Sequence, residues 1–281
     1  VSQLIQIRQR IKAIETIQKV THAMRLIAMS NHNHLRARQP ILVSYQKHLA
    51  QLFFRVQKIV PEGYKFFSSE QEYSQDRTLL IMVGSQKGLC GTFNNFLFRY
   101  FQSFCEKNPD SYDFIMIGKR AVDYANKKQI ETIATFSTLS NTTIDTLAKD
   151  LTNYIINNAH KYKKIVALRN VSHGFFSQVP TSLQLFPFEE LEQPAQDLDC
   201  YEWEQSIEQI AKTLSHQALY ASVQLILFQS LFSEQAARFQ SMDSATRNAQ
   251  ELLDTTQRNY NKLRQAKITK ELTELVASFG K

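Results

Sequence analysis

Apolar residues recur three or four positions apart along the first part of the chain. Leu4, Ile7, Ile11, Ile14, Ile17, Met24 and Ile27 lay one stripe down a helix. The spacing predicts a helix from about Ser2 to Lys58. Pro40 lies inside it, and an interior proline costs about 3 kcal/mol, so a kink or local break is expected there. The polar stretch 61–77, with Gly63 and several Ser and Glu, reads as a linker.

The period then changes. Thr78–Gly84 (TLLIMVG) is a short apolar run ending in glycine, followed by a turn and a Phe-rich amphipathic stretch, Thr92–Lys107: strand, loop, helix. Asp113–Gly118 with Lys119–Lys128 repeats the pattern. Ile130–Phe136, a helix about Asn141–His160, and Lys164–Val171 follow. This alternation predicts an α/β domain with a largely parallel sheet, doubly wound in the Rossmann manner. Pro180–Pro187 adds an expected edge strand, and the acidic, proline-broken stretch after it an exit loop.

From Ala195 to Phe279 there is neither Gly nor Pro. Within that run Ile207, Ala211, Leu214, Ala218, Ala221, Leu225, Phe228 and Phe232 alternate four and three apart, a heptad seam. It loosens but continues through Phe239, Met242, Leu252, Leu253, Tyr260, Leu263 and Leu275. A helix of this length spans on the order of 110 Å, more than a compact central domain can cover. Its apolar stripe needs a partner, and the N-terminal helix, at the other end of the chain, should pair with it antiparallel. The fold class expected is α/β plus coiled coil: a long antiparallel two-helix coiled coil from both termini around a central Rossmann-like domain. The expected parts are an N-terminal coiled-coil helix (1–60), a linker (61–77), the central domain (78–190), an acidic loop (191–204) and a C-terminal coiled-coil helix (205–281).

Composition narrows the chemistry. The net charge of +7 favours an acidic partner: nucleic acid, an anionic membrane surface or an acidic protein. Cys90, Cys105 and Cys200 have no metal-ligand or disulfide-framework spacing, which fits a reducing compartment. No apolar run approaches the roughly 20 residues of a spanning helix, and the first ten residues do not read as a signal peptide. Gly84-Ser85-Gln86-Lys87-Gly88-Leu89-Cys90-Gly91 follows a strand but is no phosphate loop, because a P-loop ends in Gly-Lys followed by Ser or Thr; the dinucleotide GxGxxG is missing too. The loop reads instead as a tight turn that lets a helix pack closely on the sheet. Cys90 reads as a small packed side chain, His32 and His34 as surface histidines too poorly placed for a metal pair, and His173 as a loop residue. No pair of carboxylates stands out as acid and base.

Three separated motifs carry a resemblance. Ser233-Glu234-Gln235-Ala236-Ala237-Arg238, then Met242, Ala245-Thr246, Asn248-Ala249, Tyr260-Asn261-Lys262, Arg264-Gln265-Ala266, Ile268-Thr269 and Glu271-Leu272 resemble the C-terminal signature of the gamma subunit of F-type ATP synthases. Gln18-Lys19-Val20-Thr21 with Ala23-Met24-Arg25 is similar to that family's N-terminal helix. Gly88-Leu89-Cys90-Gly91, with Asn94 and Leu97-Phe98, is similar to its central-domain motif. The resemblance covers about residues 2 to 280.

What it implies is a rotor without bond chemistry of its own: no catalytic residue, no cofactor, no metal. The terminal helices would sit inside a hexamer of alternating alpha and beta subunits. The α/β domain would rest on a membrane proteolipid ring with an epsilon-type subunit, without nucleic acid or direct membrane insertion. The complex would lie peripherally on the cytoplasmic face of a bacterial inner membrane or the matrix side of the mitochondrial one. By motif match the resemblance implies beta-subunit contacts at Arg264, Gln265, Thr269, Met24, Lys19 and Arg25. Arg36 and Arg38 add to the same positive charge. Contacts to the ring and epsilon are implied at Tyr201 and Glu204. A gamma-like shaft of a specialised ATPase, or a coiled-coil scaffold with an α/β adaptor, are the alternative readings. The chain departs from the family pattern at Met29-Ser30-Asn31-His32-Asn33-His34, which is less basic than usual. It departs also at Phe239, in place of Met, at Asp243, where many relatives carry Lys, and at Gln229, commonly Glu.

Overall fold

The computed structural model describes residues 2–60, 77–188 and 203–279. The linker 61–77, apart from its last residue, and most of the acidic loop 191–204 lie outside the described residues. Eleven elements follow in order: α1 (Ser2–Ile59), β1 (Arg77–Val83), α2 (Phe93–Lys107), β2 (Ser111–Ile117), α3 (Lys119–Lys128), β3 (Ala134–Phe136), α4 (Ile144–Asn158), a 3₁₀ turn (Ala159–Lys161), β4 (Lys164–Gly174), β5 (Ser177–Phe186) and α5 (Ile207–Phe279). The elements expected from periodicity are present. The stretch 130–136 narrows to three strand residues, and β4 with β5 extends further, into a hairpin.

The sheet runs β3-β2-β1-β4-β5. β1 pairs parallel with β2 and β4, and β2 with β3, while β5 returns antiparallel on the edge. Both faces are covered, which explains why β1 reads as an unbroken apolar run rather than an alternation. Leu79, Ile81 and Val83 point to one face, where α4 and the stretch Leu219–Phe232 of α5 pack. Leu80 and Met82 point to the other, against Leu97 and Phe101 of α2 and Ala121 and Ala125 of α3.

The chain divides into two compact units: Asn31–Ala237, and the residues up to Ser30 with those from Arg238 onward. In the larger unit, Gln46 Nε2 donates to Ser222 Oγ at 3.3 Å, and Val56 and Val60 pack with Ala211. In the smaller one the contacts run in opposite directions along the two helices: Arg25 meets Asp243, Thr21 meets Thr246, Gln18 meets Gln250, and Ile14 packs with Ala249 and Leu253. An antiparallel helix pair is what this order requires.

Two expectations change. α1 passes through Pro40 without a break. Pro40 is exposed, and so is Arg36, whose carbonyl loses its partner to the proline, so water can take over that hydrogen bond. The heptad seam is also not the whole account of α5. Ala211, Ala218, Ala221, Phe228 and Phe232 are buried and Leu225 only half-buried, while Leu219, Val223, Ile226, Leu227 and Leu231, off the seam, are buried too. Between 218 and 238 the helix is covered on nearly every side, because sheet and α4 enclose it as well as α1. A helix buried on nearly every side is a core helix, and heptad counting sees only part of it.

Candidate interaction surface

In the smaller unit the polar contacts between helices are few and specific. Arg25 donates to Asp243 Oδ1 at 2.8 Å, each side chain about a quarter exposed, and Asp243 also holds Arg247 at 3.0 Å, one turn on. Thr246 Oγ1 donates to Thr21 Oγ1 at 3.0 Å and is thereby half-buried. Asp243, the family departure, is therefore the local counter-charge for two arginines. The sequence marks Asp243 as a departure but not its partner Arg25, since the pair is joined across 218 positions.

The residues singled out by motif fall into two classes. Arg264, Gln265 and Thr269 are exposed on α5, as is Lys19 on α1. Met24 is half-buried, and Arg25 is committed to Asp243. Around the exposed trio, Lys267–Glu271 at 3.4 Å and Lys270–Glu274 at 3.8 Å are pairs one turn apart. Arg36 is exposed and Arg38 donates to Asn141 Oδ1 at 3.1 Å. Glu204 is exposed, three residues before α5 begins; Tyr201 lies outside the described residues.

The loop after β1 is held from within the protein. Ser85 N donates to Asn94 Oδ1 at 3.1 Å, Asn94 Nδ2 donates to Ser85 Oγ at 2.8 Å, and Ser85 Oγ donates to the Lys87 carbonyl at 2.9 Å. Gln86 N donates to the buried Glu234 of α5 at 3.3 Å, while the Gln86 side chain accepts from Leu139 N at 3.0 Å. Buried Cys90 packs with Phe93 and Ala237, so its packed reading stands. Gly118 sits at φ +87°, and a side chain there would collide with the Gly84 carbonyl. A Cβ on Gly84 would lie 3.0 Å from that of Ala121 at the start of α3. The glycines bring a helix onto the sheet, as expected, and the backbone donors of Ser85 and Gln86 serve the fold.

Two buried polar groups lacked any signal in the sequence. His32, read as a surface residue, is only 4% exposed: its ring stacks on Phe232 at 4.3 Å and meets Phe175 edge-on at 4.8 Å. Burial, and then the nearby Arg36, lower its pKa, against a side-chain hydrogen bond with Asn33. Its Nδ1 has no hydrogen-bond partner among the described residues. His34 is exposed, as read; His173 is exposed but belongs to β4 rather than a loop. Arg169, on β4, is 8% exposed and donates from Nε to Gln229 Oε1 at 3.0 Å, while its Nη1 is buried without a partner among the described residues. Burial draws its pKa down to about 10.

Among the described residues no group of His, Cys, Asp and Glu could hold a metal ion, and no helix is long and apolar enough to cross a membrane. A doubly wound α/β unit and an antiparallel pair of terminal helices with exposed polar side chains are the architecture of a stalk-type subunit. The family model described as ATP synthase matches residues 3–280, and the chain belongs to that family. It is 27% identical over 279 residues to the ATP synthase gamma chain of Fusobacterium nucleatum, covering 96% of both. With that of Amoebophilus asiaticus it shares 29% identity over 293 residues, 97% of this chain and 96% of the relative. The fold resembles the rotor of the Euglena gracilis mitochondrial ATP synthase, with a TM-score of 0.67 at 14% identity, over 95% of this chain and 99% of the other. It also resembles the central stalk of the Tetrahymena thermophila enzyme, with a TM-score of 0.62 at 18% identity, over 80% and 99%.

Proposed function

We infer that this chain is the central rotor shaft of an F-type ATP synthase, a subunit that performs no bond chemistry and transmits torque between an ion-driven membrane ring and a catalytic alpha/beta hexamer. The observation that carries this reading is the continuity of α1 and α5, each of which has residues in both units and no break along its length. A continuous helix resists twisting and bending, so torque applied at one end of it reaches the other. The asymmetric shaft then drives the catalytic subunits through different nucleotide affinities.

Arg264, Gln265 and Thr269 serve as the grip for a beta-subunit loop. Their exposure supports this, and Arg and Gln provide directional donors for carboxylate or backbone oxygens. Lys19 and Met24 extend the same surface, the first as a free charge, the second as an adaptable apolar contact. Arg25 contributes through its link to Asp243 rather than as a free cation. Tyr201 and Glu204 mark the contact with the ring and the epsilon-type subunit. The complex is peripheral to its membrane, on the cytoplasmic face of a bacterial inner membrane or the matrix side of the mitochondrial one.

Affinity capture of the native protein tests the reading. Alpha and beta subunits should be recovered in about threefold molar excess over this chain, as a hexamer around one shaft demands. Recovery of a homodimer of this chain alone would sink it.

A further inference from the structure

The face of α5 that lies against the sheet changes character along its length. Leu219, Val223, Ile226 and Leu227 share one apolar cluster with Ile81 and Val83 of β1 and Ala167 of β4. Four and three residues beyond Ile226, the same helical stripe continues with Ser230 and Ser233, where an apolar side chain would have extended the packing. Both serines are buried, and Glu234 beside them is only 2% exposed.

These polar groups bond to the sheet and to the loop that leaves it, all within the larger unit. Ser230 Oγ donates to the carbonyl of Val83, the last residue of β1, at 3.2 Å. On β4, which runs on beyond that point, Arg169 Nε donates to Gln229 Oε1 at 3.0 Å and Ser172 Oγ donates to Ser233 Oγ at 3.2 Å. Gln86 N, in the loop after β1, donates to Glu234 Oε2 at 3.3 Å, and the Gln86 side chain in turn accepts from Leu139 N at 3.0 Å. Apolar burial is non-directional, whereas a hydrogen bond weakens steeply off its line. A side-chain tip lies about 5 Å from its helix axis, so turning the helix by about 20° carries that tip nearly 2 Å, far enough to break such a bond. Because an unmade bond at a buried group is costly, these contacts oppose that turn.

We propose that Gln229, Ser230, Ser233 and Glu234 form the torsional joint of the rotor: positioning residues that lock α5 against rotation about its own axis relative to the sheet, so that torque passes between sheet and helix at this level. The proposal rests on the rotor reading above. It adds the place and the means of transfer, which none of the exposed contact positions supplies.

Angular fluctuation in the assembled complex tests it. The alpha/beta hexamer with this chain in place is fixed to a surface, and a bead carried on the α/β unit reports its angle while ATP turnover is stalled. Ser230→Ala with Ser233→Ala removes two of the four α5 bonds named above, so the angular variance should rise about twofold. Leu227→Ala opens a cavity in the apolar part of the same helix; it should lower the thermal midpoint and leave the variance at the parent's value. Should the double variant fail to assemble, Ser233→Ala alone should still widen the variance. If the bead turns under ATP but the variance of the serine variants is unchanged, or rises equally in Leu227→Ala, the joint is overturned and the rotor reading stands. If the parent neither assembles with alpha and beta nor turns the bead under ATP, the rotor reading falls, and the joint with it.

Discussion

Arg25 and Asp243, 218 positions apart in the chain, are joined at 2.8 Å, and Asp243 at the same time holds Arg247 at 3.0 Å. One carboxylate thus balances two guanidinium groups between antiparallel helices. Asp243→Ala should lower stability by about 0.5–1 kcal/mol, the scale of a partly screened ion pair. Asp243→Lys should cost more, because three cations would then meet. Urea midpoints and hydrogen exchange along residues 18–30 check this; equal stability of both variants with the parent would show that the pair contributes nothing.

Burial of His32, with Arg36 nearby, makes stability depend on pH. Its pKa in the fold lies below the ordinary 6.5, so the unfolded chain takes up the proton first as pH falls. Stability should therefore decline below about pH 6.5, through the window down to the folded pKa. His32→Phe keeps an aromatic ring between Phe175 and Phe232 and has no proton to gain. Across pH 7 to 5 the parent should lose stability relative to this variant, and parallel melting curves across that range would remove His32 as the cause.

Arg169 is a buried cation with a neutral partner. Its pKa of about 10 against an ordinary 12.5 means that the charged form is costly in the fold below pH 10, a cost that recedes as pH climbs from there toward 12.5. Gln229→Glu supplies a carboxylate where Gln now accepts from Nε. It should add about 1–2 kcal/mol at neutral pH, and the gain should shrink above about pH 10. Denaturant titration of parent and variant at pH 7 and at pH 10.5 reads both effects; a variant no more stable at pH 7 contradicts the argument.

Gly118→Ala tests the contact between α3 and the sheet. The position combines a left-handed φ with a carbonyl directly in the way of a Cβ. The loss should be on the order of 3 kcal/mol, visible as a marked drop in thermal midpoint. A midpoint within a degree of the parent would mean that the backbone there yields easily.

Arg264→Ala with Gln265→Ala addresses the grip. Both side chains are exposed, so the melting curve of the double variant should match the parent. ATP synthesis coupled to ion flow in the reconstituted complex should fall. Unchanged synthesis and torque would remove these residues from the contact surface.

The strands and helices of the α/β unit could be read directly because their signals are local. TLLIMVG is apolar throughout, since both faces of β1 are covered, and the turn glycines at 84 and 118 sit where a helix must approach the sheet. The run without Gly or Pro from Ala195 likewise announced a long helix, and its motifs named the family. What surrounds that helix was not readable. A heptad seam describes one partner, whereas α5 between 218 and 238 has several, so Leu219, Val223, Ile226 and Leu231 entered the core unannounced.

Sequence alone determined the elements, their order and the antiparallel pairing of the termini, because each depends on spacing within a few turns or on covalent order. Tertiary structure alone decided which polar groups are buried and with whom. His32 stacks on Phe232, Arg169 reaches Gln229 and Asp243 balances Arg25, across separations of 200, 60 and 218 positions. Burial and Coulomb attraction act through space, and no pattern along the chain records the distance between residues that only packing brings together.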